Sequence, residues 1–101
     1  MYIVLPELYH RLSEELVDKI AGRGYFSGTI ELEYGDVHCR LVLSVVMYYE
    51  ERDGAQGVER VLSDLVPVWW EFHTYTSNEE VINDLSFDEL RKYVAHIMRE
   101  Y

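Results

Sequence analysis

The sequence predicts a two-layer α+β domain: an antiparallel sheet of three to four strands with an N-terminal and a C-terminal helix packed on one face, in the order helix, hairpin, strand, helix. Three observations predict it. Leu8, Leu12, Leu16 and Ile20 recur at a spacing of four near the start of the chain, the repeat of an amphipathic helix. Apolar and polar residues alternate on both sides of Gly35-Asp36, the repeat of two strands joined by a tight turn. Ser86 and Glu89 stand at capping-box spacing ahead of a second helical stripe. At 101 residues the chain has the length of a single domain, taken here as residues 1–101.

The first helix is expected over residues 7–21, with Pro6 in the first turn, where its missing N–H costs nothing. Tyr9 and Val17 widen its apolar stripe, Glu7 and Arg11 have the spacing of an i,i+4 ion pair, and Gly22 and Gly24 stop it. Residues 1–5 are compatible with a short strand, an assignment left open.

The hairpin is specified most closely. A two-residue turn at Gly35-Asp36 pairs Tyr34 with Val37, Leu32 with Cys39 and Ile30 with Leu41, so the apolar faces coincide. The other face then sets Glu31 against Arg40 and Glu33 against His38. Glycine at the first central position suits a type II′ turn. The second strand runs on toward Glu50, Asp53-Gly54 begins a return, and residues 58–62 continue the ladder. A further strand is expected over 68–76. Its core phase is Val68, Trp70 and Phe72; its outward phase is Trp69, Glu71, His73 and Tyr75. Pro67 cannot donate to a ladder and belongs at a strand start, an edge or a bulge.

Residues 76–86 are acidic. Ser77 and Glu80 offer a second capping-box spacing there, and Val81-Ile82 offer a brief edge strand instead. In the last helix, Leu85 and Leu90 make a hydrophobic staple around the Ser86 cap, and Phe87, Leu90, Val94, Ile97, Met98 and Tyr101 make the buried stripe.

Composition bounds the function. The 19 acidic and 9 basic residues give a net charge of -10, which opposes non-specific binding to nucleic acid or anionic lipid. The α-β-β-β-α order is that of double-stranded-RNA-binding domains, but where those carry phosphate-binding basic residues this chain has Asp88 and Glu89. Direct nucleic-acid binding is not expected. The single cysteine, Cys39, rules out an internal disulfide and suits a reducing compartment, so a cytoplasmic location is expected. Residues 1–5 lack the charged lead of a signal peptide, no apolar stretch approaches a membrane span, and no membrane association is expected.

No phosphate loop, nucleophile elbow or paired-histidine motif is present, and Cys39 falls in the inward phase. The chain is read as not an enzyme, and no cofactor is expected. The remaining signal is the outward sheet face, with Tyr25, His38, Arg40, Tyr48, Trp69, His73 and Tyr75, aromatic for a face in water. The expected role is a protein-interaction module using this face or a sheet edge, with a protein partner or a second copy in a homodimer. A covering by residues 52–57 or 1–5 is the plainer account of the same aromatics. Two alternatives follow from other groupings. Glu50, Glu51, Asp53, Glu59, Asp64 and the carboxylates of 79–89 suggest an acidic inhibitor or nucleic-acid mimic aimed at a DNA-binding partner, although Arg52, Arg60, Arg91 and Lys92 interrupt them. His38, Glu71 and His73 share one face and suggest a metal-dependent enzyme.

Overall fold

A computed structural model of the chain describes residues 1–99. The element order is α1 (Pro6–Ile20), β1 (Tyr25–Tyr34), β2 (Val37–Gly54), β3 (Gly57–Thr76), β4 (Glu79–Val81) and α2 (Phe87–Arg99). The strands form one antiparallel sheet in the order β1-β2-β3-β4. This is the α+β fold in the expected order.

Helix α1 starts with Pro6 at its first position and buries Leu8, Tyr9, Leu12, Leu16, Val17 and Ile20. Its limits fall one residue earlier than expected at each end. The Ala21 amide still bonds Val17 O at 3.0 Å, and Gly22 then turns the chain with φ 78, which a side chain rarely tolerates. Glu7 and Arg11 are drawn away from each other toward β1. The Tyr34 hydroxyl donates to Glu7 Oε2 at 3.0 Å, and Arg11 donates to Glu33 O at 3.1 Å while its guanidinium lies 5.9 Å from the Tyr34 ring centre. A strand end beneath the helix offers a phenol and a carbonyl that an i,i+4 pair in water does not match.

The hairpin register is the expected one throughout, from Tyr34 opposite Val37 to Ile30 opposite Leu41 and Glu31 opposite Arg40. Gly35 has φ 60 while Asp36 stays outside the left-handed region, as a type II′ turn requires. Beyond it β2 and β3 form one long ribbon, closed by a turn at Ala55-Gln56 with Gly54 opposite Gly57. Residues 58–62 and 68–76 thus belong to a single strand.

Two bulges interrupt that strand. Ser44 pairs with Trp69 and Val45 with Pro67, so Val68 has no partner; Tyr48 pairs with Asp64 and Tyr49 with Leu62, so Ser63 has none. The first bulge corrects the placement of Val68 in the core. An extra residue breaks the alternation, and Val68 is 67% exposed. Pro67 sits at this bulge, where a missing N–H is tolerated. Past the bulge the expected phase holds: Phe72 is buried, and Trp70 packs half-buried against Phe87 with ring centres 5.7 Å apart.

After β3, Ser77 and Asn78 take φ 52 and φ 66. Two consecutive left-handed residues make a tight hairpin turn rather than a helix cap, and the chain returns as β4. Val81 is in this edge strand, Ile82 lies outside it and is exposed. Thr74, fully buried, satisfies its hydroxyl on Val81 O at 2.7 Å. Residues 1–5 form no strand. Tyr2 makes one parallel bridge to Asn83, with Tyr2 N to Ile82 O at 2.7 Å, and Val4 N bonds Asp84 Oδ1 at 2.7 Å.

Helix α2 is capped as expected. The Glu89 amide donates to Ser86 Oγ at 3.3 Å, and Leu85 and Leu90 are both buried. Phe87, Leu90 and Val94 are buried, with Ile97 and Met98 partly so; Tyr101, assigned to this stripe, lies outside the described residues. Both helices and the inward residues of β1, β2 and β3 share one apolar cluster, which makes the fold two layers with the opposite sheet face in solvent. Among the described residues no helix is long and apolar enough to cross a membrane. The outline is elongated, 51 × 24 × 18 Å, with a radius of gyration of 14.8 Å against about 13 Å for a compact chain of this length. The length comes from the β2–β3 ribbon. Past Val46 strand β2 pairs with β3 alone, and residues 52–57 form the ribbon's tip.

Candidate functional site

The outward face is ordered by the register into rows across β1, β2 and β3. Glu33, His38 and Tyr75 form one row; Glu31, Arg40 and His73 the next; then Thr29, Val42 and Glu71; Ser27, Ser44 and Trp69; and Tyr25, Val46 and Val66, with Tyr48 opposite Asp64 beyond. The seven residues proposed for this face therefore do not form one patch. Tyr25, Tyr48 and Trp69 lie toward the ribbon. His38, Arg40, His73 and Tyr75 lie toward the Gly35-Asp36 turn.

The ribbon end is apolar and uncovered. Tyr25, Trp69 and Tyr48 are 55%, 48% and 54% exposed, with Val66 and Val68 exposed beside Trp69. Neither residues 1–5, held against residues 82–84, nor the ribbon tip removes them from solvent. Ser27 Oγ and Ser44 Oγ are 2.8 Å apart beneath this end, and hydrogen bonds from Ser44 and then Ser27 hold the Tyr25 phenol below its ordinary range.

At the turn end each histidine is gripped by two carboxylates. His38 Nδ1 meets Glu33 Oε1, and its Nε2 meets Glu31 Oε1 at 3.4 Å. His73 Nδ1 meets Glu80 Oε2 at 3.0 Å, and its Nε2 meets Glu71 Oε2 at 3.1 Å. A neutral imidazole has one N–H; facing an acceptor with both nitrogens favours the charged ring. The pKa of His38 is accordingly raised, by Glu33 most and then Glu31, and that of His73 by Glu80 most and then Glu71. The Tyr75 ring neighbours both imidazoles, 6.1 Å from His38 and 6.3 Å from His73. Arg40 reaches Glu31 at 3.8 Å.

This arrangement separates the groups considered for a metal. His38 is held with Glu31 and Glu33, whereas His73 is held with Glu71 and Glu80. Among the described residues no three His, Cys, Asp or Glu side chains are placed to hold one ion. Of His38, Glu71 and His73, the last two are brought together at 3.1 Å, while His38 is held by Glu33 and Glu31. Cys39 points inward and is fully buried, and burial pushes its thiol up to about 11. Such a thiol stays neutral near neutral pH and packs as an apolar group.

Glu80 was missed as a member of this face. It reaches His73 because Ser77 and Asn78 turn the chain back, a role for which the tolerance of Asn for left-handed backbone was the available signal. Compared with protein-family models, with curated proteins and with solved structures, the chain matches none.

Proposed function

We propose that the chain is a small protein-interaction module that docks through the outward face of its sheet, with Trp69 as the apolar anchor. One observation carries this reading. Tyr25, Tyr48 and Trp69 are about half exposed on one face, while the opposite face is filled by both helices. Aromatic surface left in water is unfavourable by about 25 cal/mol per Å², and Trp and Tyr are the residues that interfaces most often use as anchors. The occupant is a partner protein or a second copy of the chain. The single buried thiol is consistent with a reducing, cytoplasmic setting.

The reading is tested by photo-crosslinking from position 48 on β2, at the same ribbon end of the outward face as Trp69, in the protein's source cells and in purified solution. Adducts that disappear on Trp69→Ala, but persist on an exposed helix substitution such as Glu14→Ala, support the docking face. Adducts indifferent to Trp69 overturn it.

A further inference from the structure

The two ends of the outward face differ in chemistry, and the difference points to the kind of partner. This inference rests on the docking reading above and specifies its occupant. On β3, Trp69, Glu71 and His73 share one phase, so Glu71 lies about 7 Å and His73 about 13 Å from Trp69 along the strand. An extended segment seated on Trp69 therefore passes directly onto the carboxylate–histidine clusters. There each imidazole faces two carboxylates: His38 between Glu31 and Glu33, His73 between Glu71 and Glu80.

We propose that the outward face receives a cationic polypeptide, whose Lys or Arg side chains displace the imidazoles of His38 and His73 from their glutamate pairs while a neighbouring apolar side chain seats on Trp69. Charge complementarity selects this occupant. The chain carries -10, and the carboxylates of both clusters are exposed. A second copy would bring the same excess of carboxylates against them, a like-charge arrangement that costs affinity. A Lys or Arg side chain holds its proton across the neutral range and forms charge-assisted bonds to a carboxylate pair.

Displacement has a signature. Around His38 stand Glu31 and Glu33 from β1, Arg40 from its own strand, and Tyr75 from β3. Around His73 stand Arg40 from β2, Glu71 and Tyr75 from β3, and Glu80 from β4. An imidazolium separated from its two carboxylates loses what kept it charged, as the raised pKa values of both histidines reflect. Docking therefore releases protons near neutral pH, and affinity rises with pH, by at most about tenfold per unit for each imidazolium displaced.

The probes are an extended peptide that presents a leucine and, two and four residues further on, lysines on the same face with serines between them, and its counterpart with glutamate for lysine. Binding is followed by amide chemical-shift mapping and by calorimetry in two buffers of different ionisation enthalpy. The lysine peptide is expected to shift Tyr25, Trp69, His38 and His73, to release protons, and to bind more tightly as pH rises. The double variant His38→Gln/His73→Gln, which frees the carboxylates, is expected to bind it more tightly and to lose the pH slope; its circular dichroism reports that the fold is retained. Trp69→Ala weakens binding in either background. Shifts confined to the helices or the ribbon tip, equal binding of the glutamate peptide, or weaker binding by the double variant overturn the cationic partner. A dimer seen by light scattering that forms through Trp69, with no lysine-peptide binding, also overturns it and leaves the docking face standing. Crosslinks indifferent to Trp69 remove the docking face itself.

Discussion

Trp69 and Trp70 are chain neighbours on opposite faces of β3. Trp70 packs under α2 against Phe87, with ring centres 5.7 Å apart, while Trp69 sits opposite Ser44 with 48% of its surface in solvent. The same residue type thus serves the core at one position and is left available at the next. The bulge at Val68 sits immediately before this pair and sets the turnover of phase between Pro67 and Trp69.

Trp70→Ala is expected to cost about 3 kcal/mol, the lower end for a large aromatic because Trp70 is only half-buried. Trp69→Ala is expected to change stability by no more than about 0.5 kcal/mol. Urea melts of both variants check this. Equal losses would place Trp69 in the core and remove it as an anchor.

Ser86→Ala is expected to destabilise the fold by about 1 kcal/mol, because Ser86 Oγ accepts the Glu89 amide bond at the start of α2. The measurement is the shift in urea midpoint at unchanged slope. No shift would mean that the staple of Leu85 and Leu90 alone fixes this helix end.

The two gripped histidines make stability depend on pH. Their folded pKa values are raised above the ordinary 6.5. Their contribution is therefore fully present below 6.5, where both folded and unfolded chains bind the protons. It is lost as pH rises through the raised values, where only the folded chain had kept them. Denaturation midpoints taken from mildly acidic to mildly alkaline pH should fall more for the native chain than for His38→Gln/His73→Gln. Parallel pH profiles for the two would show that the glutamate contacts carry no proton linkage.

Cys39 is expected to resist thiol reagents in the folded protein and to react once urea unfolds it, since its thiol is fully buried and pushed up to about 11. Labelling followed by mass spectrometry reads this directly. Rapid modification without unfolding would contradict the inward placement of β2 at this point.

What could be read in advance follows from where periodicity carries information. The Gly35-Asp36 hairpin was legible down to the pairing of Glu31 with Arg40, because alternation, turn chemistry and charge all converge on one register. The placement of Val68 was not. Pro67 signals an irregularity, yet nothing in the apolar–polar pattern says which residue is extra, and Val68 looks like any inward valine. Ser77 and Asn78 carried a competing reading, since Ser77 and Glu80 have the spacing of a helix cap and the left-handed turn depends on backbone angles. The candidate face inherited both ambiguities. Its residues were individually legible, but their division into an apolar end and a carboxylate–histidine end depends on cross-strand neighbours, and Glu80 joins it through the unread turn.

The long ribbon gives this small fold an uneven timetable of opening. Near Leu41 and Leu43, strand β2 is flanked by β1 and β3 and covered by helices. A few residues on, from Tyr48 to Gly54, the same strand has one neighbour and ends in a two-residue turn. Amide deuteration along β2 should therefore run as a gradient: exchange at the tip through local fraying, on a scale far shorter than global unfolding, and exchange at Leu41 only when the whole domain opens. A single strand would thus record both early and late exchange.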